Sequence, residues 1–318
     1  MKVTIQPVPT STTTPQVIWE ECACPLCGST DSRPFIESPD PNPATGGLWF
    51  AVVQCQECSL RYTNPRPNID SIGQFYPTDY LPHRRLHLKK NGTRRWNVLR
   101  PLRGKATERR SLPWHGEGRL LDFGCGAGGF LARMAEQGWK VTGLDASLLA
   151  VKQIREELGL RALQGTLPHP ELQPESFDVI TLWCSLEHVH EPRQILQEAH
   201  RLLVPGGRIL IVVPNIESWP FRWFGPSWFA LDLPRHLIHF EPKTLRAMLE
   251  LSGFEVGSIR GVRHGEWLRN SARIASRDEK TTWWQRLFKF KAIARLMAWL
   301  CFACGRSDCM VAVAEKRK

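Results

Sequence analysis

LLDFGCGAGGF, residues 120–130, is the stretch whose reading decides this chain. Two leucines close an apolar run, Asp122 and the glycines make a turn, and helical spacing opens at Gly129. Glycine lets the backbone bend sharply and lets a ligand come close to it. Gly124, Gly126 and Gly129 satisfy G-x-G-x-x-G, so a nicotinamide dinucleotide is one reading. Asp122 points the other way: with it the run reads D-x-G-x-G-x-G through Gly128. A carboxylate at that position opposes a pyrophosphate and suits a cationic ligand.

Outward from the loop, apolar runs and helical spacing alternate. Strands are expected at 119–124, 140–146, 161–166, 176–184 and 208–215, with helices at 129–138, 147–159 and 191–207, the last closed by Pro205, Gly206 and Gly207. A helix at 242–253 and strands at 254–263 and 308–316 follow, with an aromatic and basic insertion at 264–307. Such alternation predicts an α/β fold, a doubly wound sheet with helices on both faces, whose ligands bind beyond the carboxyl ends of the strands. The acidic glycine loop, together with LLVPGGRILIVVPN at 202–215, resembles the class I S-adenosylmethionine-dependent methyltransferases, over roughly residues 117–263 and again at 308–316.

That resemblance implies a Rossmann-like methyltransferase sheet and S-adenosylmethionine as cofactor. It implies that Asp122, Gly124, Gly126 and Gly128 border the methionine part. Asp145 in GLDAS would accept the ribose hydroxyls, with Ala146 beside it. Gln164 and Gly165 stand where adenine is flanked, a place where many relatives carry Asp, and Trp183 near the end of the fourth strand is a further expected cofactor contact.

The segment LWCSLEHVHEP (182–192) lacks the Asn/Asp-Pro-Pro-aromatic pattern of amine methyltransferases and the Pro-Cys pair of cytosine-C5 enzymes. LEHV (186–189), DLPRHLIHF (232–240) and TLRAMLELSGF (244–254) instead resemble the small-molecule branch, which includes ubiquinone-biosynthesis O-methyltransferases. The implied acceptor is a small molecule, a sugar or glycoconjugate, or a lipid-linked compound. Histidine titrates in the range useful for taking an acceptor proton. His188 and His236 are the candidate catalytic residues. His188 could instead touch the cofactor or cap the next helix, and His236 and His239 could serve packing. WPFRWFGPSWF (219–229) holds six aromatics in eleven residues, enough for an apolar acceptor pocket or a cap over the sheet edge.

Ahead of the sheet stand CPLCG (24–28) and CQEC (55–58), giving C-x2-C-x27-C-x2-C. Paired knuckles of this kind present four thiolates to a tetrahedral ion, so Cys24, Cys27, Cys55 and Cys58 are expected to bind Zn2+. Cys22 is a spare candidate. Four thiolates leave no open coordination position, and sulfonium methyl transfer needs no Lewis acid. The metal is therefore expected to be structural, in a small N-terminal zinc-ribbon-like module.

The 318 residues divide by this reading into a disordered N-terminus (1–20), the zinc-binding module (21–82), a basic linker (83–115) and the methyltransferase domain (116–318). Net charge is +11, and the run 83–110 alone carries eleven Lys/Arg against one Glu. That run reads as a solvated linker or as a grip on phosphates or anionic lipid. With the zinc module it keeps RNA methylation as the alternative function. The polar N-terminus lacks a signal-peptide core, so a cytoplasmic location is expected. TTWWQRLFKFKAIARLMAWLCFAC (281–304) mixes Trp and cations as an interfacial helix does, which adds contact with a membrane surface as a further expectation. Arg286 and Lys289, however, fall on a different side of a continuous helix from Lys291 and Arg295.

Overall fold

A computed structural model of the protein describes residues 17–40, 47–76, 112–277 and 281–317. The N-terminal part comprises β1 (Trp19–Glu20), β2 (Ser32–Pro39), β3 (Trp49–Cys55), β4 (Arg61–Thr63), β5 (Arg66–Pro67) and a 3-10 turn at Ile72–Phe75. The α/β part begins with β6 (Arg119–Phe123), α1 (Gly129–Glu136), β7 (Lys140–Asp145), α2 (Leu148–Leu158), β8 (Arg161–Gln164) and β9 (Phe177–Trp183). It continues with α3 (Pro192–Leu202), β10 (Leu203–Pro214), α4 (Trp219–Phe224), β11 (Ile238–His239), α5 (Pro242–Leu251) and β12 (Phe254–Val262). The last elements are α6 (Gly265–Ala275), α7 (Trp283–Leu287), α8 (Lys291–Ala303) and β13 (Cys309–Lys316).

Seven strands form one sheet in the order β12-β13-β10-β9-β6-β7-β8, with β13 antiparallel to both neighbours. The doubly wound reading therefore holds. After β8 the chain returns to the other side of β6, so the strand order reverses between β6 and β9. Local chemistry sets the helix ends. Ser147 caps α2 by accepting the Ala150 N–H, and Gly159 ends it in the left-handed conformation. Leu120 and Val179 pack beneath α1 and α2, whereas Leu121 and Ile180 join the core of α3 and α5 on the opposite face. Each such side chain fully removed from water stabilises by about 1.5–3 kcal/mol.

Two local expectations need correction. The helix expected over 191–207 stops at Leu202, and β10 starts at once. Pro205 cannot donate a helical hydrogen bond and drives Val204 toward extended backbone, so the helix cannot run on to the glycines. At the N-terminus, residues 1–16 lie outside the described residues, but Trp19 and Glu20 are a strand paired with Pro67 and Arg66 rather than disordered chain. The basic run 83–110 also lies outside the described residues.

The cysteine-bearing part is joined to the rest through its backbone. A second sheet runs β11-β4-β3-β2, so a strand from residues 238–239 completes a sheet otherwise built before residue 64. One hydrophobic core runs from Cys24, Tyr62 and Phe75 through Ile180 and Leu196 to Ala314.

Candidate active site and thiolate cluster

Beyond the carboxyl ends of β6, β7 and β8 the predicted cofactor residues meet. Asp122, at 2% exposure, accepts the Thr181 hydroxyl at 2.6 Å, which fixes its carboxylate at the base of the loop. Asp145 accepts the Gly126 N–H on one oxygen and the Ser147 N–H on the other, both at 2.8 Å. It thus ties the glycine loop to the start of α2. A carboxylate offers about four acceptor positions, so these two bonds are compatible with ribose hydroxyls on the same group. Gly165 lies alongside, its N–H on the Asp145 carbonyl at 2.9 Å, with Gln164 and Ala146 exposed near it. Trp183 meets Phe130 edge to face at 5.1 Å.

Gly124 is left-handed at φ 71, and a Cβ there would lie 2.6 Å from the Ser185 Cβ. Its bareness lets the turn after β9 close onto β6, where the Ser185 hydroxyl donates to the Phe123 carbonyl at 3.0 Å. Gly128, at φ 78, is held by packing: a Cβ would strike Ile154 and Leu158 of α2 at 2.7 and 2.8 Å. The loop therefore has the shape and the negative charge to cradle a cationic, ribose-bearing ligand.

His188 sits in a 3-10 turn (Leu186–His188) that follows Cys184, a non-glycine residue at φ 52. His236 follows Asp232, at φ 38. Backbone held in that region costs on the order of 1–3 kcal/mol and persists where the surroundings impose it. His188 Nδ1 is 2.9 Å from the Arg235 carbonyl and 3.0 Å from the Tyr76 hydroxyl. A carbonyl only accepts, so Nδ1 carries the proton and Nε2 is left as the basic nitrogen. His236 Nδ1 faces the Ala230 carbonyl at 2.9 Å in the same way, and its ring meets that of His188 edge to face at 4.6 Å. Burial, then the neighbouring His236, pushes the His188 pKa down to about 3, and burial also lowers His236. Both rings stay neutral near neutral pH, while His188 keeps partial access to solvent. Glu187, His188 and His236 also bring donor atoms within 4.8 Å of one another, a set able to hold a cation.

Sequence reasoning missed the residues that position these histidines. Arg235 donates to Asp232 (2.7 Å), to Asp40 (3.0 Å) and to the Phe75 carbonyl (2.8 Å). It thus binds the His236 loop to the N-terminal part. The Arg235 guanidinium and the Asp40 carboxylate are both almost wholly buried. Removing one partner of a buried ion pair costs about 3–5 kcal/mol. Arg235→Met is accordingly expected to lower stability by about that amount, read as a shift in the urea midpoint. An unchanged midpoint would show that the two carboxylates find other partners. The i, i+3 pairing of Asp232 and Arg235 inside DLPRHLIHF was the available signal; Tyr76 carried none.

His239 lies in β11, and the structure gives it a packing role there. The Thr63 hydroxyl donates to the His236 carbonyl at 2.9 Å and so accepts from His239 Nε2 at 3.3 Å. Burial pushes the His239 pKa down from 6.5 to about 3. The unfolded chain takes up this proton below pH 6.5 and the folded chain does not. The stability involved is complete above that pH and is lost as pH falls toward 3. Near pH 5 the loss is about 2 kcal/mol. Chemical denaturation from pH 7 to pH 5 should show a shallower decline for His239→Gln, and equal slopes would refute this assignment.

The four predicted thiols also converge. Cys24 Sγ lies 3.4 Å from Cys58 Sγ, Cys27 Sγ lies 3.5 Å from Cys55 Sγ, and all four fall within 4.8 Å of one another. A tetrahedral zinc with Zn–S near 2.3 Å requires S···S of about 3.8 Å, so the set fits the ion. Cys22 stays outside the group, its N–H on Asn64 Oδ1 at 3.0 Å. A cavity of about 450 Å³ between this cluster and α3 is lined by Cys22, Arg66, His190 and Arg193 and by none of the glycine-loop residues.

The methyltransferase-domain family matches residues 84–259, more than half of the chain. The chain belongs to the class I S-adenosylmethionine-dependent methyltransferases. It is an enzyme of that class. It is 33% identical over 173 residues to the ubiquinone biosynthesis O-methyltransferase of Xanthomonas euvesicatoria pv. vesicatoria, covering 51% of this chain and 72% of that protein. The protein of the same name from Xylella fastidiosa is 29% identical over 198 residues, covering 58% and 78%. Among solved structures, the complex of the Haloferax volcanii Trm112 methyltransferase activator with a methyltransferase matches at a TM-score of 0.50 and 16% identity. It covers 67% of this chain and 88% of that one, a likeness of fold alone.

Proposed function

We propose that this methyltransferase acts on a hydroxyl oxygen of a small, amphiphilic or lipid-linked acceptor, and that a structural zinc holds its N-terminal part. The observation that carries the reading is the His188 ring at the end of β9, its Nδ1–H tied to the Arg235 carbonyl at 2.9 Å. The relatives named for O-methylation in ubiquinone biosynthesis support the acceptor class.

S-adenosylmethionine, when bound, supplies an electrophilic methyl on a sulfonium. The residues present divide the remaining work. Asp145 would take the ribose hydroxyls and Asp122 would face the positive end of the cofactor. Gly124 and Gly126 would let the ligand approach the backbone. His188 Nε2 would accept the acceptor's hydroxyl proton as its oxygen attacks, and Tyr76 and Arg235 would hold the ring in place. The aromatic segment 219–229 would wall the acceptor from water. Cys24, Cys27, Cys55 and Cys58 would fill the zinc shell, leaving the ion no part in the reaction.

The test is incubation of the enzyme with isotopically labelled S-adenosylmethionine and cell extract, followed by mass spectrometry. Label on an oxygen of a small amphiphilic compound is the expected result. Label recovered in RNA would favour the nucleic-acid alternative, and label on nitrogen or carbon would refute O-methylation.

A further inference from the structure

The insertion between β12 and β13 folds as α6, then α7 and α8, with a break at residues 288–290. That break removes the difficulty of phasing Arg286 and Lys289 against Lys291 and Arg295, because Arg286 lies in α7, Lys289 in the break, and Lys291 and Arg295 in α8. Both helices pack on α6. Phe288 between them, and Ala294, Ala298 and Cys301 of α8, are buried. What turns outward is apolar and cationic together. Trp283 is 75% exposed, Phe290 63%, Leu296 58% and Trp299 48%. Arg286, Lys289, Lys291 and Arg295 are exposed among them. Residues 281–307 contain five Lys/Arg and no Asp or Glu.

We propose that this outer face of α7 and α8 docks the enzyme on an anionic lipid bilayer. Large aromatic side chains on an exposed face cost solvation in water and gain it at the headgroup boundary, where Trp and Phe settle. Lys and Arg beside them are attracted to an anionic surface. Charge decides between occupants: a second copy of this face would bring like charges together, whereas anionic headgroups neutralise them. Length decides the mode. The thirteen residues of α8 span about 20 Å, short of a hydrocarbon core of about 30 Å, and no described helix is long and apolar enough to cross a membrane. The helices therefore lie in the surface. The face also adjoins the aromatic cap, since Trp223 of α4 stacks on Phe288 at 5.5 Å and Gln285 donates to the Trp223 carbonyl. A docked enzyme would hold its acceptor side near the bilayer. The inference rests on exposed side chains and stands apart from the identity of the acceptor.

The full chain should be floated with vesicles of phosphatidylcholine alone and with about 30% phosphatidylglycerol added. Two variants are compared, Trp283→Ser/Phe290→Ser/Trp299→Ser and Lys289→Glu/Lys291→Glu/Arg295→Glu. Melting temperature and S-adenosylmethionine binding serve as fold controls. Binding to the anionic vesicles, weakened by salt and reduced roughly tenfold or more by either variant, is the expected result. Failure of the natural chain to bind anionic vesicles overturns the proposal. So does undiminished binding by both variants, which would assign the contact to the basic run 83–110. Two further results also overturn it: a dimer of the natural chain that the serine variant dissociates, or RNA bound through this face while the vesicles are not.

Discussion

His188→Ala is expected to lower kcat by roughly 10²-fold, the low end for a positioned general base, because burial holds its pKa down at about 3, well below the working pH. Affinity for S-adenosylmethionine should stay within a few-fold. The separation follows from the geometry. The ring's contacts run to Tyr76 and to the Arg235 carbonyl, whereas the proposed cofactor cradle is Asp122, Asp145 and the glycine loop. Single-turnover rates and cofactor titration measure the two independently. An unchanged kcat would remove His188 from the chemistry. An unchanged rate at saturation with weakened cofactor binding would make it a cofactor contact. Tyr76→Phe should give a smaller loss of the same kind, because the Arg235 carbonyl still holds Nδ1–H.

Cys24→Ser is expected to abolish zinc binding and to unfold the N-terminal part. Apparent binding energies of structural zinc in small peptides are about 10–16 kcal/mol, comparable with the whole stability of a domain at about 5–15 kcal/mol. The loss should not stay local. β11 of the catalytic part pairs with β4, and Arg235 reaches Asp40 and the Phe75 carbonyl. Melting the cysteine-bearing sheet therefore frees the loop that carries His236 and supports His188. Zinc content by mass spectrometry, melting temperature and turnover should all fall together, and chelation of the natural enzyme should reproduce them. A variant with unchanged melting temperature and a lost chemical step would instead put the metal in the reaction.

Much of the fold was legible because its determinants are local. The acidic glycine loop, the Ser147 cap, Gly159 at the end of α2 and the alternation of apolar strands each act within a few residues. The end of α3 was read too late: the closure at Pro205, Gly206 and Gly207 was legible, but Leu203, two residues before the proline, is already extended. The four cysteines were likewise readable, since each knuckle places two thiols by itself.

The acceptor side was less legible. DLPRHLIHF looked like one motif with two histidines, of which only His236 was a catalytic candidate. The structure separates them, placing His236 against His188 and His239 under Thr63 in a sheet with the N-terminal strands. Tyr76, which reaches His188, and Asp40, which reaches Arg235 in the His236 loop, had no pattern to announce them.

The sequence alone determined a doubly wound methyltransferase sheet, a glycine loop suited to a cationic ligand and a set of four thiols. Each is written in neighbouring residues and in backbone preference. Only the tertiary structure decided that the cysteine-bearing part is built into the catalytic face. The contacts that do it join residues as far apart as Asp40 and Arg235, 195 positions along the chain. Contacts at that separation have no periodicity and no spacing. They arise when burial brings two surfaces together and leaves each charge and carbonyl needing a partner.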